Sequence, residues 1–389
     1  MDFALSEDEE LFRGAVSEFA AAVLAPAAAA ADEAGRFAPE VLAQTAALGL
    51  FGMLVPEAQG GAGVGAMRFA IALEEIARAS AAMAALLNAH NALGALSLVL
   101  TGTAVQQARW LPALARGEAL GAGWLASAEA AGGASGPEVR AAPTADGWQL
   151  DGAARWVTNG GEAALYVVFA AVEGAGGTEQ GATGLEAFVV PADAPGVRAG
   201  APIEKVGLRG AVTADLALAG CRLPEDARLG VGEGAGESEG GGPLAERVHA
   251  LWLIGSAAQA LGIARASLDA AVAYAQERQQ FGQPIARFEG LRHLLADVAL
   301  AVEAARPLVY RAAWMYARGQ PVGSAAAMAK LHAGETAMLA ATKAVQVYGG
   351  YGYMREAAVQ RYFRDAKVTQ AAAGNALQQR GAIADALLE

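Results

Sequence analysis

Arg278 and Phe281 stand three residues apart in the run Arg-Gln-Gln-Phe-Gly-Gln-Pro-Ile over residues 278–285, placing a guanidinium and a flat ring on one short piece of chain. A guanidinium grips two phosphate oxygens at once, and Phe281 suits the face of an adenine. Further on, Gly349-Gly350-Tyr351-Gly352 allows backbone amides to come close to a ligand, because glycine has no Cβ. A cation, a flat partner and bare backbone are what a bound dinucleotide requires. No G-x-G-x-x-G follows a strand here, so this is not a Rossmann fingerprint. Taken singly, each residue has a plainer reading: Arg278 as a solvated helix residue, Phe281 and Trp156 as core, Thr158 as a strand residue.

General acid–base chemistry needs a titratable side chain in a pocket. The chain has only four histidines. His249, with Glu246 about one turn before it, reads first as part of a solvated helix start. His90, beside Asn91, reads first as a packing or hydrogen-bonding residue. His293 and His332 occupy ordinary helix positions. Asp365 and Glu356 read as partners in structural ion pairs. No His/Cys/Asp/Glu group has the spacing of metal ligands, so no metal site is expected. The single cysteine, Cys221, permits no internal disulfide, suits a reducing cytoplasm and is expected in a strand or at its exit.

These residues need elements to hold them. Residues 6–118 read as helices, with Ser6-x-x-Glu9 forming a capping box at the first. From about residue 121 the pattern changes to short strands punctuated by Gly and Asp: 148–152, 166–169, 187–190 and 215–218. Residues 230–242, GVGEGAGESEGGG, read as a flexible acidic linker or loop. Helices return after it. Apolar residues at 291, 294, 295, 298, 302, 305 and 309 make a 3.6-residue stripe, and Pro307 inside it is expected to kink or interrupt that helix. The expected domains are 1–118, helical; 119–229, a β-domain; 230–242, a Gly/Glu-rich loop; and 243–389, a helical bundle. The fold class is mostly α with a central β-domain.

Composition excludes some partners. A net charge of −12 and an isoelectric point near 5.0 argue against a nucleic-acid or anionic-membrane surface. The acidic start MDFALSEDEELF does not read as a signal or transit peptide. The apolar helices are amphipathic or broken by charge, so none is expected to span a membrane.

Five runs, in their order along the chain, closely resemble the acyl-CoA dehydrogenase family of flavoenzymes: Trp156-Val-Thr158-Asn-Gly160, residues 278–285, Gln346 with the Gly349-Gly350 pair, Arg364-Asp-Ala-Lys367, and Thr369-Gln370. The resemblance covers nearly the whole chain. It implies a helical N-terminal domain, a middle β-barrel, a C-terminal four-helix bundle and bound FAD. Arg278, Phe281, Gln346 and Gly350, with Gly349 beside them, would reach the cofactor of a neighbouring subunit in a dimer of dimers. Trp156 would pack by the flavin ring, and Thr158 would hydrogen-bond near its N5. The segment at 126–135, which includes Ser127, would face the flavin through its backbone, although the family's Pro and Ser-Asp are absent or shifted.

The same resemblance exposes a departure. Where many relatives carry Tyr-Glu-Gly-Thr, with Glu as catalytic base, this chain has Ala372, Ala373, Gly374 and Asn375. Asn375 thus replaces a Thr that contacts flavin. A minority of relatives place the base where Trp252 stands, next to an Arg that is Leu253 here. Trp252, Leu253 and Gly374 are then expected beside the substrate, with Trp252 shortening or redirecting the acyl pocket. An acyl-CoA or carrier-bound acyl thioester is the implied substrate, and an electron-accepting flavoprotein an implied partner. Three functions follow: an enzyme using chemistry that needs no base at that position, such as elimination or oxygenation; a dehydrogenase whose base is relocated to His249 or His90; or a non-catalytic subunit whose partner supplies the base.

Overall fold

Ser6 and Glu9 exchange hydrogen bonds through side chain and backbone, and the capping box opens helix α1 (Glu7–Phe19). The computed structural model describes residues 4–125, 139–173, 183–230 and 240–388. After α1 come α2 (Ala25–Ala34), α3 (Pro39–Ala47), α4 (Gly65–Ala79), α5 (Ala81–Asn88), α6 (Leu96–Thr101) and α7 (Ala104–Ala115). Between α5 and α6 the chain widens into a π-helix over Ala89–Ala95.

The middle domain is a sheet of β1 (Gly121–Leu125), β2 (Val139–Thr144), β3 (Gly147–Thr158), β4 (Leu165–Glu173), β5 (Thr183–Pro191), β6 (Val197–Ala199) and β7 (Thr213–Pro224). The strands pair in the order β1-β4-β2-β3-β7-β6, with β5 on β4. Cys221 lies buried in β7. The sheet docks tightly on the first domain: a Cβ added at Gly94 would come within 2.8 Å of the Gly121 backbone, so glycine is required there.

Helix α8 (Gly241–Glu277) leads to a small hairpin of β8 (Gln279–Gln280) and β9 (Gln283–Pro284). Then follow α9 (Glu289–Ala317), α10 (Gly323–Tyr348), α11 (Ala358–Thr369) and α12 (Ala376–Leu388). Most of the expected acidic loop, residues 231–239, lies outside the described residues, and α8 begins at Gly241. Pro307 does not interrupt α9. Val302, Ala305 and Val309 are buried on either side of it, and their packing offsets the roughly 3 kcal/mol that an internal proline costs.

One apolar core joins the N-terminal helices to α8, α9 and α10, and a second fills the β-domain. Glu74 of α4, fully buried, ties the first core together: it accepts from Arg265 at 2.8 Å, from Arg306 at 3.3 Å and from the Tyr310 hydroxyl at 2.7 Å. The expectation that no segment reads as a membrane span fails on composition. Glu7–Ala34, Ala81–Thr101 and Gly241–Glu277 are long and apolar enough to cross one. In the last two, 83% of the apolar window is buried inside the protein, where alanine-rich faces allow close helix packing. Asp365 makes no ion pair among the described residues. It is buried and accepts the Leu208 N–H at 2.6 Å, while its neighbour Arg364 pairs with Asp32. Together they bolt α11 to the β-domain and the N-terminal domain.

Candidate active site

The turn between α11 and α12 contains two successive residues with left-handed backbone, Ala373 at φ 57° and Gly374 at φ 93°. Left-handed geometry is unfavourable for a residue with a Cβ, so the surroundings must hold Ala373 there. Gln379 Nε2 donates to the Ala373 carbonyl at 3.1 Å, and Lys330 Nζ donates to the Gly374 carbonyl. Lys330 is 2% exposed, and burial alone pushes its ammonium down to about 8. Ala373 is itself buried, and its N–H finds no acceptor among the described residues.

His249 reaches the same turn from α8. It is not part of a solvated helix start: its ring packs edge-on to Trp252 at 6.1 Å, and its Nε2 is buried without a partner. Burial lowers its pKa to about 4; the backbone of Ala373 opposes that shift and the charge of Lys330 adds to it. Glu246 is exposed and lines, with His249, Leu253 and Gly374, a cleft of about 920 Å³. Leu253 is buried and Trp252 half-buried, the latter's carbonyl accepting from Asn88 at 3.2 Å.

His90 does not serve this cleft. Its Nδ1 accepts the Gly121 N–H at 3.0 Å and its Nε2 faces the Phe51 carbonyl at 3.1 Å, so the neutral ring is fully used in joining helix to sheet. That geometry leaves no nitrogen for a substrate proton and corrects its candidacy as a base.

The dinucleotide-type residues occupy two places. Arg278, at the end of α8, lines a groove of about 560 Å³ with Gly349, Gly350, Tyr348 and Tyr351. Its guanidinium lies 5.4 Å from the centre of the Tyr351 ring. Phe281 sits at the hairpin tip in the left-handed region, φ 51°, with 92% of its surface exposed. Gln346 is exposed on the last turn of α10. Trp156 and Thr158, at the end of β3, line neither the groove nor the cleft. A bulge in the pairing of β3 with β7, between Ala154 and Val157, throws Trp156 outward at φ 60° and 60% exposure, and Asp215 accepts its N–H at 2.9 Å. Ser127 lies outside the described residues. The side-chain oxygen of Asn375 is committed to the backbone N–H groups of Leu377 and Gln378, capping α12.

These residues fit FAD. Gly350 is not in the left-handed region, and a Cβ built there would meet nothing within 4 Å, so the groove beside Arg278 is left open by the chain itself. A guanidinium, open glycine backbone and exposed rings are the donor set that a pyrophosphate and adenine require. Lys330, Gln379 and Asp215 escaped the sequence reading. Lys330 alone left a signal there, as a lone charge in the alanine-rich run 324–333.

Comparison with known proteins supplies the lineage. Family profiles for the N-terminal, middle and C-terminal domains of acyl-CoA dehydrogenases match residues 6–118, 125–221 and 254–388. The chain is 39% identical over 387 residues to the probable acyl-CoA dehydrogenase FadE25 of Mycobacterium tuberculosis, covering 99% of this chain and 97% of that protein. The structure of butyryl-CoA dehydrogenase from Megasphaera elsdenii is similar over 100% of both chains, at 36% identity and a TM-score of 0.90. That of glutaryl-CoA dehydrogenase from Mycobacterium smegmatis in complex with FADH2 is similar over 98% of this chain and 95% of that one, at 25% identity and a TM-score of 0.88.

Proposed function

The chain belongs to the acyl-CoA dehydrogenase family of FAD-dependent oxidoreductases, and from that premise we propose that it acts on an acyl thioester by chemistry that lacks the usual carboxylate base. One observation carries this reading. Arg278, Phe281, Gln346, Gly349, Gly350, Trp156 and Thr158 supply what FAD needs, while the positions where a base is expected hold Ala373, Trp252 and Leu253. FAD, when bound, supplies hydride-accepting chemistry at the substrate's Cβ.

Each of the chain's own residues then has a task. Arg278 neutralises the pyrophosphate, and Phe281 and Trp156 offer flat faces. The buried N–H of Ala373 has no acceptor among the described residues, and its neighbour Gly374 lines the cleft; the N–H is suited to the thioester oxygen, where it would stabilise negative charge developing on that atom. Trp252 narrows the space for the acyl chain. The methyl of Ala373 takes no proton. Loss of a general base typically costs about 10² to 10⁴ in rate. Substrates with an acidic α-proton or a β-leaving group escape most of that cost; unactivated saturated chains do not. The apolar side chains at Ala373, Trp252 and Leu253 also favour a second reading, a subunit whose partner carries the base. Against it stands the retained flavin set.

The proposed assembly is a dimer of dimers, with electrons passed to an electron-accepting flavoprotein. Anaerobic mixing with short, branched and aromatic acyl-CoAs, followed at the flavin absorbance band, tests the chemistry. Wild type is expected to hold FAD equimolar with the chain and to bleach slowly or not at all with simple saturated acyl-CoAs, whereas Ala373→Glu gains bleaching. Rapid bleaching of wild type by such a substrate shows that a base has been overlooked. A protein that takes up no FAD favours the partner-dependent subunit.

A further inference from the structure

The end of β3 that carries Trp156 and Thr158 is the end its ladder holds least. Pairing with β2 stops at Gly152, and beyond it β3 pairs only with β7 among the described strands. The bulge between Ala154 and Val157 interrupts that ladder too, leaving two pairs after it, Val157 with Ala214 and Thr158 with Thr213. The next residue, Asn159, is 1% exposed and left-handed, at φ 65°. Its side-chain Nδ2 donates to the Leu86 carbonyl of α5 and to the Gly121 carbonyl of β1, each at 3.1 Å. Its backbone N–H donates to the Val212 carbonyl at 2.8 Å. Gly121 in turn gives its own N–H to His90. A buried amide costs free energy that hydrogen bonds must offset, and the Oδ1 of Asn159 has no partner among the described residues. Both bonds of the side chain are therefore spent on one tie, from the loose end of β3 to a helix of the first domain and to the first strand of the sheet.

We propose that Asn159 is a positioning residue for the flavin: its tie to α5 and β1 sets where Thr158 and Trp156 meet the ring. Thr158 follows Asn159 directly, since consecutive Cα atoms stand a fixed ~3.8 Å apart. Trp156 follows through the short stretch of ladder after the bulge. The inference rests on the flavin reading above. In this role Asn159 contacts neither cofactor nor substrate and acts only through the strand.

The test compares Asn159→Gly with Gln106→Leu in the full-length protein titrated with FAD. Glycine accepts the left-handed backbone, so the first variant removes the tie and little else. Gln106 is the matching control. It is 7% exposed and donates to the Asp226 and Arg228 carbonyls at 2.7 and 3.2 Å, tying α7 to the chain just after β7. That is the opposite end of β3, where Gly147 pairs with Pro224. Gln106 also caps α7, so its loss costs at least as much stability. Three quantities are read: melting temperature, FAD dissociation constant, and the visible circular dichroism of bound flavin, which senses the ring's neighbours. Asn159→Gly is expected to hold FAD about tenfold more weakly and to alter the flavin dichroism. Gln106→Leu melts lower but matches wild type in affinity and dichroism. Asn159→Asp, which suits the same backbone but offers a carboxylate to two carbonyls, changes both in the same direction and decides if Asn159→Gly does not fold. Wild-type affinity and dichroism in the Asn159 variant overturn the positioning role and leave the flavin reading standing. Equal changes in Gln106→Leu overturn it too, by assigning the effect to stability alone. If wild type takes up no FAD, the flavin reading fails, and this inference with it.

Discussion

His90 and His249 have the same side chain and the same depressed pKa, about 4, yet opposite positions with respect to chemistry. His90 uses both nitrogens in bonds between helix and sheet, so its neutral form is a structural part. His249 keeps a buried Nε2 without a partner beside the Ala373 turn. For His90 the consequence is a pH dependence of stability. The unfolded chain takes up the proton near 6.5 and the folded chain only near 4, so between those values the unfolded state binds more protons. Stability fully present above pH 6.5 is therefore lost as the pH falls towards 4, by about 3 kcal/mol for this one group. Asp365 works the other way: burial first of all raises it to about 6, so the folded state gains from its protonation as the pH falls below that. A series of melting temperatures against pH checks the prediction. His90→Gln is expected to melt lower than wild type at neutral pH, because the Phe51 carbonyl and the Gly121 N–H lose their partner, and to show a flatter decline into acid. An equally steep decline in the variant would assign the acid sensitivity to other groups.

Strand β3 shows how an element aims a single ring. The bulge between Ala154 and Val157 inserts an extra residue opposite β7, turning Trp156 out of the sheet, and the carboxylate of Asp215 holds the turned backbone. Asp215→Ala removes that acceptor while leaving the sheet's buried face untouched, since Asp215 is exposed. The expected result is a small loss of thermal stability, about 1 kcal/mol, and a several-fold weaker FAD affinity in a fluorescence titration. Unchanged affinity would mean that the bulge does not orient Trp156 for the cofactor. Elements were the most legible level in the sequence. The capping box at Ser6, the alternation of the strands and the stripe of α9 depend on neighbours in sequence, and pattern alone finds them. The lost signals depend on distant partners. Lys330 meets Gly374 across 44 positions and Asp365 meets Leu208 across 157, so the lone charge of Lys330 in its alanine-rich run did not name its partner, and Asp365 read as an ion-pair residue. The continuity of α9 through Pro307 was hidden for the same reason, because it depends on tertiary packing. The flavin-side residues were legible through family resemblance, since each alone reads as ordinary.

Over the whole molecule, the surface around Arg278 is costly for an isolated chain. Phe281 is 92% exposed, Tyr353 89%, Tyr351 59% and Met354 52%, and the last two line the Arg278 groove. Exposed aromatic and apolar groups gathered in this way mark a surface meant to be covered, at about 25 cal/mol for each Å² removed from water. The strained hairpin strengthens the case. A phenylalanine with positive φ at a turn tip, 92% exposed and with its ring in a T-shaped contact with Phe288 at 6.1 Å, buries little in the monomer that offsets its backbone cost. Arg278 and the Gly349-Gly350 backbone lie at one end of the helical domain, while Trp156 and Thr158 lie on the β-domain and line a different part of the surface. The proposed dimer of dimers would let a complete FAD site draw one set from each of two copies of the chain. Phe281→Asp is expected to divide that assembly and weaken FAD retention together, without lowering the melting temperature of the separated chain, because the side chain is not part of the core. Light scattering with flavin absorbance on the same sample reads both quantities. A variant that remains fully assembled and fully loaded would remove Phe281 from the interface, and a wild-type monomer carrying a full complement of FAD would show that one chain builds the whole site.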